Sequence, residues 1–374
     1  MKYSASMKWA VLEIKIPKAL DKSPKAAEQI FAGLHGMHIP IKKREEVFKG
    51  KVHDWFSFET VSDQGETHYY IRTVEQYKSL VEAQIYAQYP DAEISEVPDY
   101  VNKLPKSLPD EKYDLFGSEI TLTKPDAYPI RTYEEYEDRT AGKDVVKRID
   151  PLASLCEVLG SLHRDEHIWV QVVIRPTGSA WTKKAQVEID KILDKPSKAA
   201  GGLLSKLFFA VDKQLPGGFE GDSAVKDDKK TSMMNLTPGK RDAIEAIEKS
   251  TAKLGHETII RFVYIAPRDS FHRAHVSGII GAYKQFSSLA LNGFKPVART
   301  MPIAKYLFKG YRNNLTKKIL LSNFKNRALF KKAYVLNTEE LATIYHFPDV
   351  GVRAPLLPRV ESKKGEPPAG LPTI

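Results

Sequence analysis

The chain has little of what several protein classes need. Its 374 residues contain one cysteine, Cys156, which excludes a disulfide framework and a cysteine-rich metal site. No stretch approaches the roughly 20 consecutive apolar residues that a membrane-spanning helix needs. The first residues, MKYSASMKWAVLEIKIPK, lack both the apolar core and the cleavage site of a secretory signal. We therefore expect a cytoplasmic location, with attachment to the inner face of the cell membrane as an open alternative.

Composition indicates a folded chain with an excess of positive charge. Hydrophobic residues make up 42% of the sequence, which excludes a wholly disordered chain. The length predicts two domains, or three. Lys plus Arg exceed Asp plus Glu by 57 − 47 = 10, so polyanions such as nucleic acid or an acidic lipid surface are candidate partners.

The first hundred residues predict a ferredoxin-like lobe. Apolar periodicity, a Ser-Pro helix start and a hairpin turn at 63–66 give the order β-α-β-β-α-β. The elements span residues 9–16, 23–36, 55–62, 67–74, 75–89 and 92–100. We predict that residues 1–100 form this lobe and that 101–117 form a linker.

The rest of the chain predicts a second lobe in an α+β fold. Strand patterns at 118–124, 167–176 and 258–267 alternate with helical ones, so this lobe is α+β or α/β. The predicted units are a lobe at 118–298 with a mobile insertion at 194–235, a basic segment with a capping-box helix at 299–351, and a proline-rich tail at 352–374.

Motifs that carry chemistry are scarce. The nearest match to a phosphate-binding loop, residues 237–241, lacks its first Gly and its final Ser or Thr, so it reads as a helix cap. His272 and His275 share a helix face without further ligands at metal-site spacing, and Cys156 lies on an apolar helix face. The carboxylates Glu13, Glu28 and Glu59 are expected to face water. We therefore predict no enzyme, and no catalytic, cofactor-binding or metal-binding residue.

The positive charge is concentrated in residues 299–332. This segment has no Asp or Glu and carries +10, so the remaining 340 residues sum to zero. Aromatic residues alternate with the cations, a combination that binds single-stranded nucleic acid through phosphate neutralisation and base stacking. Two alternatives are a connector with core aromatics and solvated lysines, and contact with acidic phospholipid. The predicted nucleic-acid site comprises Arg299, Lys305, Lys309, Tyr311, Arg312, Lys317, Lys318, Lys325, Arg327, Lys331 and Lys332.

The insertion contains an apolar stripe at helical spacing. The stripe suits either an interfacial helix that is too short to span a bilayer or a helix that packs on its own domain or on a partner. Its residues are Leu203, Leu204, Leu207, Phe208, Val211 and Leu215.

One run near the end of the chain resembles a known family. Residues 335–348, VLNTEELATIYHFP, place Asn337 as an N-cap with Glu340 three residues on, a capping box. With Ala354-Pro355 and Arg359, the run is similar to a segment in bacterial type IV secretion and conjugative DNA-transfer ATPases of the HerA/FtsK-like type. Looser similarities extend over most of the chain, at residues 9–17, 26–35, 81–90, 150–162 and 166–176.

The resemblance implies a non-catalytic docking module that lacks the family's motor. In that family the ATPase domain follows this region, whereas here the sequence runs only to Ile374, so the expected partner is a separate motor ATPase. The docking residues implied are Asn337, Glu340, Tyr345, His346, Phe347 and Pro348. The alternatives are a single-stranded nucleic-acid-binding protein and a peripheral membrane scaffold, and the oligomeric state stays open.

Overall fold

The computed structural model describes most of the chain. It covers residues 7–17, 22–41, 52–105, 107–138, 147–193, 236–329, 333–349 and 359–360. The apolar stripe predicted at 203–215 and the cations Lys331 and Lys332 lie outside these residues.

The described residues form twelve strands and eight helices. The strands are β1 (Trp9–Pro17), β2 (Phe56–Asp63), β3 (Glu66–Val74), β4 (Glu93–Glu96), β5 (Tyr113–Leu122), β6 (Glu137–Asp138), β7 (Lys147–Arg148), β8 (His167–Pro176), β9 (Gly255–Pro267), β10 (Phe294–Pro296), β11 (Tyr334–Asn337) and β12 (Arg359–Val360). The helices are α1 (Lys25–Leu34), α2 (Lys78–Gln88), α3 (Ala153–Gly160), α4 (Ala180–Ile192), α5 (Pro238–Thr251), α6 (Arg273–Lys284), α7 (Lys309–Lys325) and α8 (Thr338–Ile344).

Ten of these strands make one large sheet. Its order is β10-β5-β9-β8-β2-β3-β1-β12, with β11 also paired to β9 and β4 also paired to β1. Every pair in it is antiparallel except β1 with β12. The prediction of a mixed helix-and-strand chain is thus confirmed.

The two halves of the sheet repeat one strand order. In the first half the strands lie in the order β4-β1-β3-β2, and in the second β10-β5-β9-β8. Each half therefore places its first strand between its fourth and its third. Strands β2 and β8 join the halves over eight residue pairs, from Phe56–Ile174 to Asp63–His167.

Local sequence predicts the turn between β2 and β3 correctly but places the start of β5 too late. Between β2 and β3, Gln64 and Gly65 have φ of 56° and 91°, the left-handed pair that a two-residue hairpin turn requires. The predicted hairpin is therefore confirmed. Strand β5 begins at Tyr113, five residues before the predicted start, because pairing with β9 extends it back to the Tyr113–Pro267 pair.

Apolar layers cover both faces of the sheet. On one face lie α1, α2, α3, α6 and α8, packed on alternate strand residues such as Leu12, Phe58 and Phe262. On the other face α7 packs on the intervening positions, including Trp169 and Val263. This two-residue alternation follows from strand geometry. Of the eight described helices, only α7 contributes side chains to the apolar cluster on its face of the sheet. Among the described helices, none is both long enough and apolar enough to cross a membrane.

Candidate binding surface around helix α7

Helix α7 is fixed to the sheet through its C-terminal half. Leu320, Leu321 and Phe324 are buried there, and the Phe324 ring lies 5.8 Å from the ring of Trp169. Gly117 on β5 permits this approach, because a Cβ at that position would lie 2.2 Å from the Phe262 carbonyl oxygen and 2.8 Å from Leu320 Cδ2. The helix therefore sits close on the strand at this glycine.

The end of α7 is held by a Schellman motif with an unusual residue. The Arg327 amide donates to the Phe324 carbonyl and the Ala328 amide to the Asn323 carbonyl, both at 3.0 Å, the pattern of this C-terminal cap. Arg327 has φ of 47°, the left-handed conformation that normally favours glycine. An arginine in this position is explained by what its side chain binds.

Arg327 is buried and binds two carboxylates. Its Nε and Nη2 donate to Glu59 at 2.9 and 3.0 Å, and its two Nη atoms donate to Asp99 at 2.6 and 2.8 Å. Tyr100 Oη donates to Glu59 at 2.7 Å. Burial alone would raise the pKa of Glu59, but Arg327 and these hydrogen bonds hold it below the usual range. The pKa of Arg327 is raised despite burial, because Glu59 stabilises its charge.

Three of the predicted phosphate-binding cations are therefore engaged within the chain. Arg327 has no exposed surface, so its assignment to a nucleic-acid site is wrong, as is the expectation that Glu59 faces water. Lys317 Nζ donates to Asp114 at 2.6 Å. Lys325 Nζ donates to the Pro105 carbonyl at 2.9 Å, and burial lowers its pKa.

The other described cations of the segment are exposed, together with three aromatic rings. Tyr306 and Phe308 are each 80% exposed and Tyr311 is 72% exposed. They alternate in sequence with the cations at the N-terminal end of α7. We call the cationic-aromatic surface the set of exposed residues Arg299, Lys305, Tyr306, Phe308, Lys309, Tyr311, Arg312 and Lys318. The connector alternative expected core aromatics, which holds for Phe324 and fails for these three.

Phe308 is held in a strained conformation at the start of α7. Its φ is 53° and its ψ is 34°, and its side chain makes no capping hydrogen bond. A bulky residue in the left-handed region costs on the order of 1 kcal/mol or more. The exposed ring gains no burial in return. Backbone strain of this kind clusters at active sites and ligand-binding segments.

A groove lies between α7 and the short helical turn at Ala298–Thr300. Its volume is about 340 Å³. Its lining residues are Glu119, Arg299, Thr300, Thr316, Ile319, Leu320 and Asn323. Arg299 belongs both to this groove and to the cationic-aromatic surface, so the two features are continuous.

The run predicted to dock a motor is instead part of the core. The capping box is confirmed: Asn337 Oδ1 accepts from the Glu340 amide and Glu340 Oε2 from the Asn337 amide, each at 2.9 Å. Asn337, Glu340, Tyr345, His346, Phe347 and Pro348 are all buried. The prediction that they form a docking surface is therefore wrong, because α8 packs against α1 and faces inward.

The side chains of this run have specific internal partners. His346 Nε2 lies 3.0 Å from Asp150 Oδ1, and Phe347 packs edge-on against Tyr69 and Tyr89. Burial raises the pKa of Glu340 to about 8, although two backbone amides donate to its carboxylate. The run at residues 335–348, which carries the family resemblance, is thus part of the hydrophobic core.

The other chemical candidates are also structural residues. Cys156 is buried on α3, which confirms its prediction as a core residue. His275 Nε2 lies 3.6 Å from Glu166 Oε2. Glu28 is buried and accepts from Tyr133 at 2.8 Å, so the expectation that it faces water is wrong. In the part of the chain that the structure describes, no three His, Cys, Asp or Glu side chains are placed to hold a metal ion.

Fold and surface together define a mixed α/β protein with one large antiparallel sheet and a cationic, aromatic face. Residues 2–355 match the family described as "Domain of unknown function (DUF8128)". The chain belongs to this family. No curated protein matches the chain.

Proposed function

We propose that this protein is a non-catalytic binding module that holds single-stranded nucleic acid on the cationic-aromatic surface. The observation that carries the proposal is the exposure of Tyr306, Phe308 and Tyr311 among Lys305, Lys309 and Arg312. Exposed rings stack on unpaired bases, at about 1–3 kcal/mol per base, while cations neutralise the phosphates.

The electrostatics favour a polyanion on this surface. Five cations, Arg299, Lys305, Lys309, Arg312 and Lys318, are exposed on or beside α7. Lys317, on the same helix, is paired with Asp114 and is not counted among them. With about 0.7 counterions released per phosphate contact of a single strand, five contacts give a log–log salt slope of about −3.5.

Fluorescence anisotropy with a labelled twenty-nucleotide oligo-deoxythymidine tests the proposal. Replacing Lys305, Lys309, Arg312 and Lys318 together by Glu is expected to weaken binding more than a hundredfold and to flatten the salt dependence. The matched control replaces the exposed residues Lys8, Lys183, Lys184 and Lys284 by Glu, which changes the net charge equally. Equal losses in the two variants, or unchanged affinity in the first, would reject the proposed site.

A second variant separates stacking from charge. Changing Tyr306, Phe308 and Tyr311 to Ser keeps every cation and is expected to cost at least tenfold in affinity.

Exposed Leu307 also suits an acidic lipid surface, the membrane alternative. Flotation with phosphatidylglycerol vesicles distinguishes the nucleic-acid surface from the lipid surface. If the chain binds vesicles but does not bind the oligonucleotide, the lipid proposal replaces the nucleic-acid one.

We further propose, from the resemblance to DNA-transfer ATPases, that the module serves a secretion or conjugation apparatus and partners a separate motor ATPase. Since residues 337–348 are buried, the motor would contact another surface. Co-purification of the tagged chain from its native host checks this. A ring ATPase is expected among the captured proteins, and its absence under conditions that retain other partners would contradict the proposal.

We also propose that the sheet consists of two ferredoxin-like units fused through β2 and β8. The support is the repeated strand order, β4-β1-β3-β2 and β10-β5-β9-β8, with antiparallel pairing in both halves. A helix follows the first and third strands of each unit: α1 and α2 in one, α3 and α6 in the other. An experimental structure that joined the strands differently would overturn this assignment.

A further inference from the structure

The groove beside α7 has the size and composition of a site for one small planar group. Its volume of about 340 Å³ lies at the lower end of the range for small-molecule sites, about 300–1,000 Å³. Ile319 and Leu320 provide apolar surface, while Thr316 and Asn323 provide polar groups on the same helix. Mixed apolar and polar surface of this kind suits a nucleobase, which has flat faces and hydrogen-bonding edges.

Two polar side chains of the groove, Glu119 and Thr316, present acceptors and therefore favour a ligand group that donates hydrogen bonds. Glu119 lines the groove with its side chain one-fifth exposed, and a carboxylate accepts hydrogen bonds. Thr316 Oγ1 already donates to the Arg312 carbonyl at 3.0 Å, so its remaining capacity is as an acceptor. An exocyclic amino group supplies the donors that these acceptors need, and thymine and uracil have none.

Two hydrogen bonds hold Glu119 in place. The Nε of Arg261, which is fully buried, donates to Glu119 Oε1 at 2.9 Å, and Thr300 Oγ1 accepts from the Glu119 amide at 2.9 Å. The carboxylate is therefore fixed from both its side chain and its backbone. Because the carboxylate is fixed, less conformational entropy is lost when it accepts from a ligand, and it cannot turn away from a carbonyl oxygen placed against it.

The groove is also placed to receive a base from a bound strand. Arg299 at its edge and Lys318, next in sequence to Ile319, belong to the cationic-aromatic surface. Phosphates on these cations would hold the backbone beside the groove while one base enters it.

We propose, building on the proposed function, that this groove reads one base of the bound strand and selects an amino-bearing base, with cytosine N4 donating to Glu119. Carboxylates accept from cytosine N4 in protein–DNA recognition. Thymine has the carbonyl oxygen O4 in place of the N4 amino group, so O4 and the Glu119 carboxylate would be two acceptors with no donor between them. The groove thus adds base preference to a surface that otherwise binds any sequence.

The test compares twelve-nucleotide oligo-deoxycytidine with oligo-deoxythymidine by anisotropy at pH 8. The native chain is expected to bind the cytidine strand about tenfold more tightly, which corresponds to about 1.4 kcal/mol. Glu119→Gln is expected to reduce the preference below twofold while oligo-deoxythymidine still binds. Equal affinity of the native chain for the two strands would overturn the groove proposal. Failure of both strands to bind would instead reject the proposed function.

A pair of variants on one helix guards against misfolding of Glu119→Gln. Thr316→Phe places a phenyl ring in the groove, whereas Asn314→Phe adds the same ring at an exposed position outside it. Only the first is expected to abolish the preference for cytidine. Preference retained in Thr316→Phe would show that the base is read elsewhere and would overturn the proposal.

Discussion

Arg327 has both a backbone and a side-chain role in the structure. Its guanidinium is bound by Glu59 and Asp99, and its backbone occupies the left-handed position that ends α7. Since the same residue ends the helix and pairs two carboxylates, it links the end of α7 to Glu59 of β2 and to Asp99, which precedes the short helical turn at Tyr100–Asn102.

We expect Arg327→Met to destabilise the fold by about 3–5 kcal/mol, because it leaves Glu59 charged, buried and unpaired. Urea unfolding followed by circular dichroism measures this loss. Arg312→Met, an exposed change on the same helix, is the control and should cost under about 0.5 kcal/mol. Adding Glu59→Met to Arg327→Met should recover part of the stability, and a further large loss would contradict the pairing.

His256 predicts a dependence of stability on pH. It is fully buried on β9 with its ring 5.2 Å from that of His35. Burial lowers its pKa from 6.5 to about 3. Because the unfolded chain takes up the proton first, this contribution to stability is complete above pH 6.5 and is lost as pH falls toward 3.

The effect at pH 5 is expected to be about 2 kcal/mol. Unfolding free energies of the native chain and His256→Leu, measured between pH 7.5 and 5, isolate it. The variant should lose less stability over this interval than the native chain does. Identical slopes for the two proteins would show that His256 is not the group responsible.

At the scale of elements, α7 divides into an anchored half and a presented half. Its last residues are buried beside Gly117 and Trp169, whereas its first residues and residues 305–308 before it are exposed. Because the buried half anchors the whole helix, the position of Tyr311 in its first turn is set before a ligand binds, so less entropy is lost on binding.

Helix α8 depends on its cap more than an exposed helix does. Asn337 accepts from the Glu340 amide, and its Nδ2 donates to Ser250 Oγ at 2.9 Å. Asn337→Ala removes both bonds inside the core, and we expect a loss of about 2–3 kcal/mol in thermal or urea unfolding. Asn337→Ser keeps the capping acceptor and should lose less; equal losses would show that the cap contributes nothing.

At the scale of the whole molecule, the β2–β8 pairing makes the two halves one structure. One apolar cluster includes Leu12 and Phe58 of the first half with Val172 and Phe262 of the second. We therefore expect one cooperative transition, although the sequence predicts two lobes. Hydrogen exchange followed by mass spectrometry should show β1–β3 and β8–β9 losing protection at the same urea concentration.

Thr60→Pro tests the expected cooperativity at the β2–β8 pairing that joins the two halves of the sheet. Thr60 pairs with Val170 in the middle of β2–β8, and a proline there removes a ladder hydrogen bond. Both halves should lose protection together. Loss confined to one half, or separate transitions in the native chain, would instead support two independently stable lobes.

Local patterns predicted the elements that local physics controls. The Gln64-Gly65 hairpin, the Asn337–Glu340 capping box and the core position of Cys156 each depend on neighbours within a few residues or on one helix face. Periodicity also identified the strong strands β8 and β9. Such signals hold because turn geometry, caps and apolar faces are set within the segment itself.

Which side chains are exposed was decided by long-range packing. The sequence determined a mixed fold and a cationic segment rich in aromatics, because composition and spacing are properties of the chain. Only the tertiary structure separated Arg327, paired with Glu59 across 268 positions, from Arg312 on the surface. It also placed the LNTEELATIYHFP run inside the core. Burial depends on contacts between residues far apart in sequence, and no local pattern contains them.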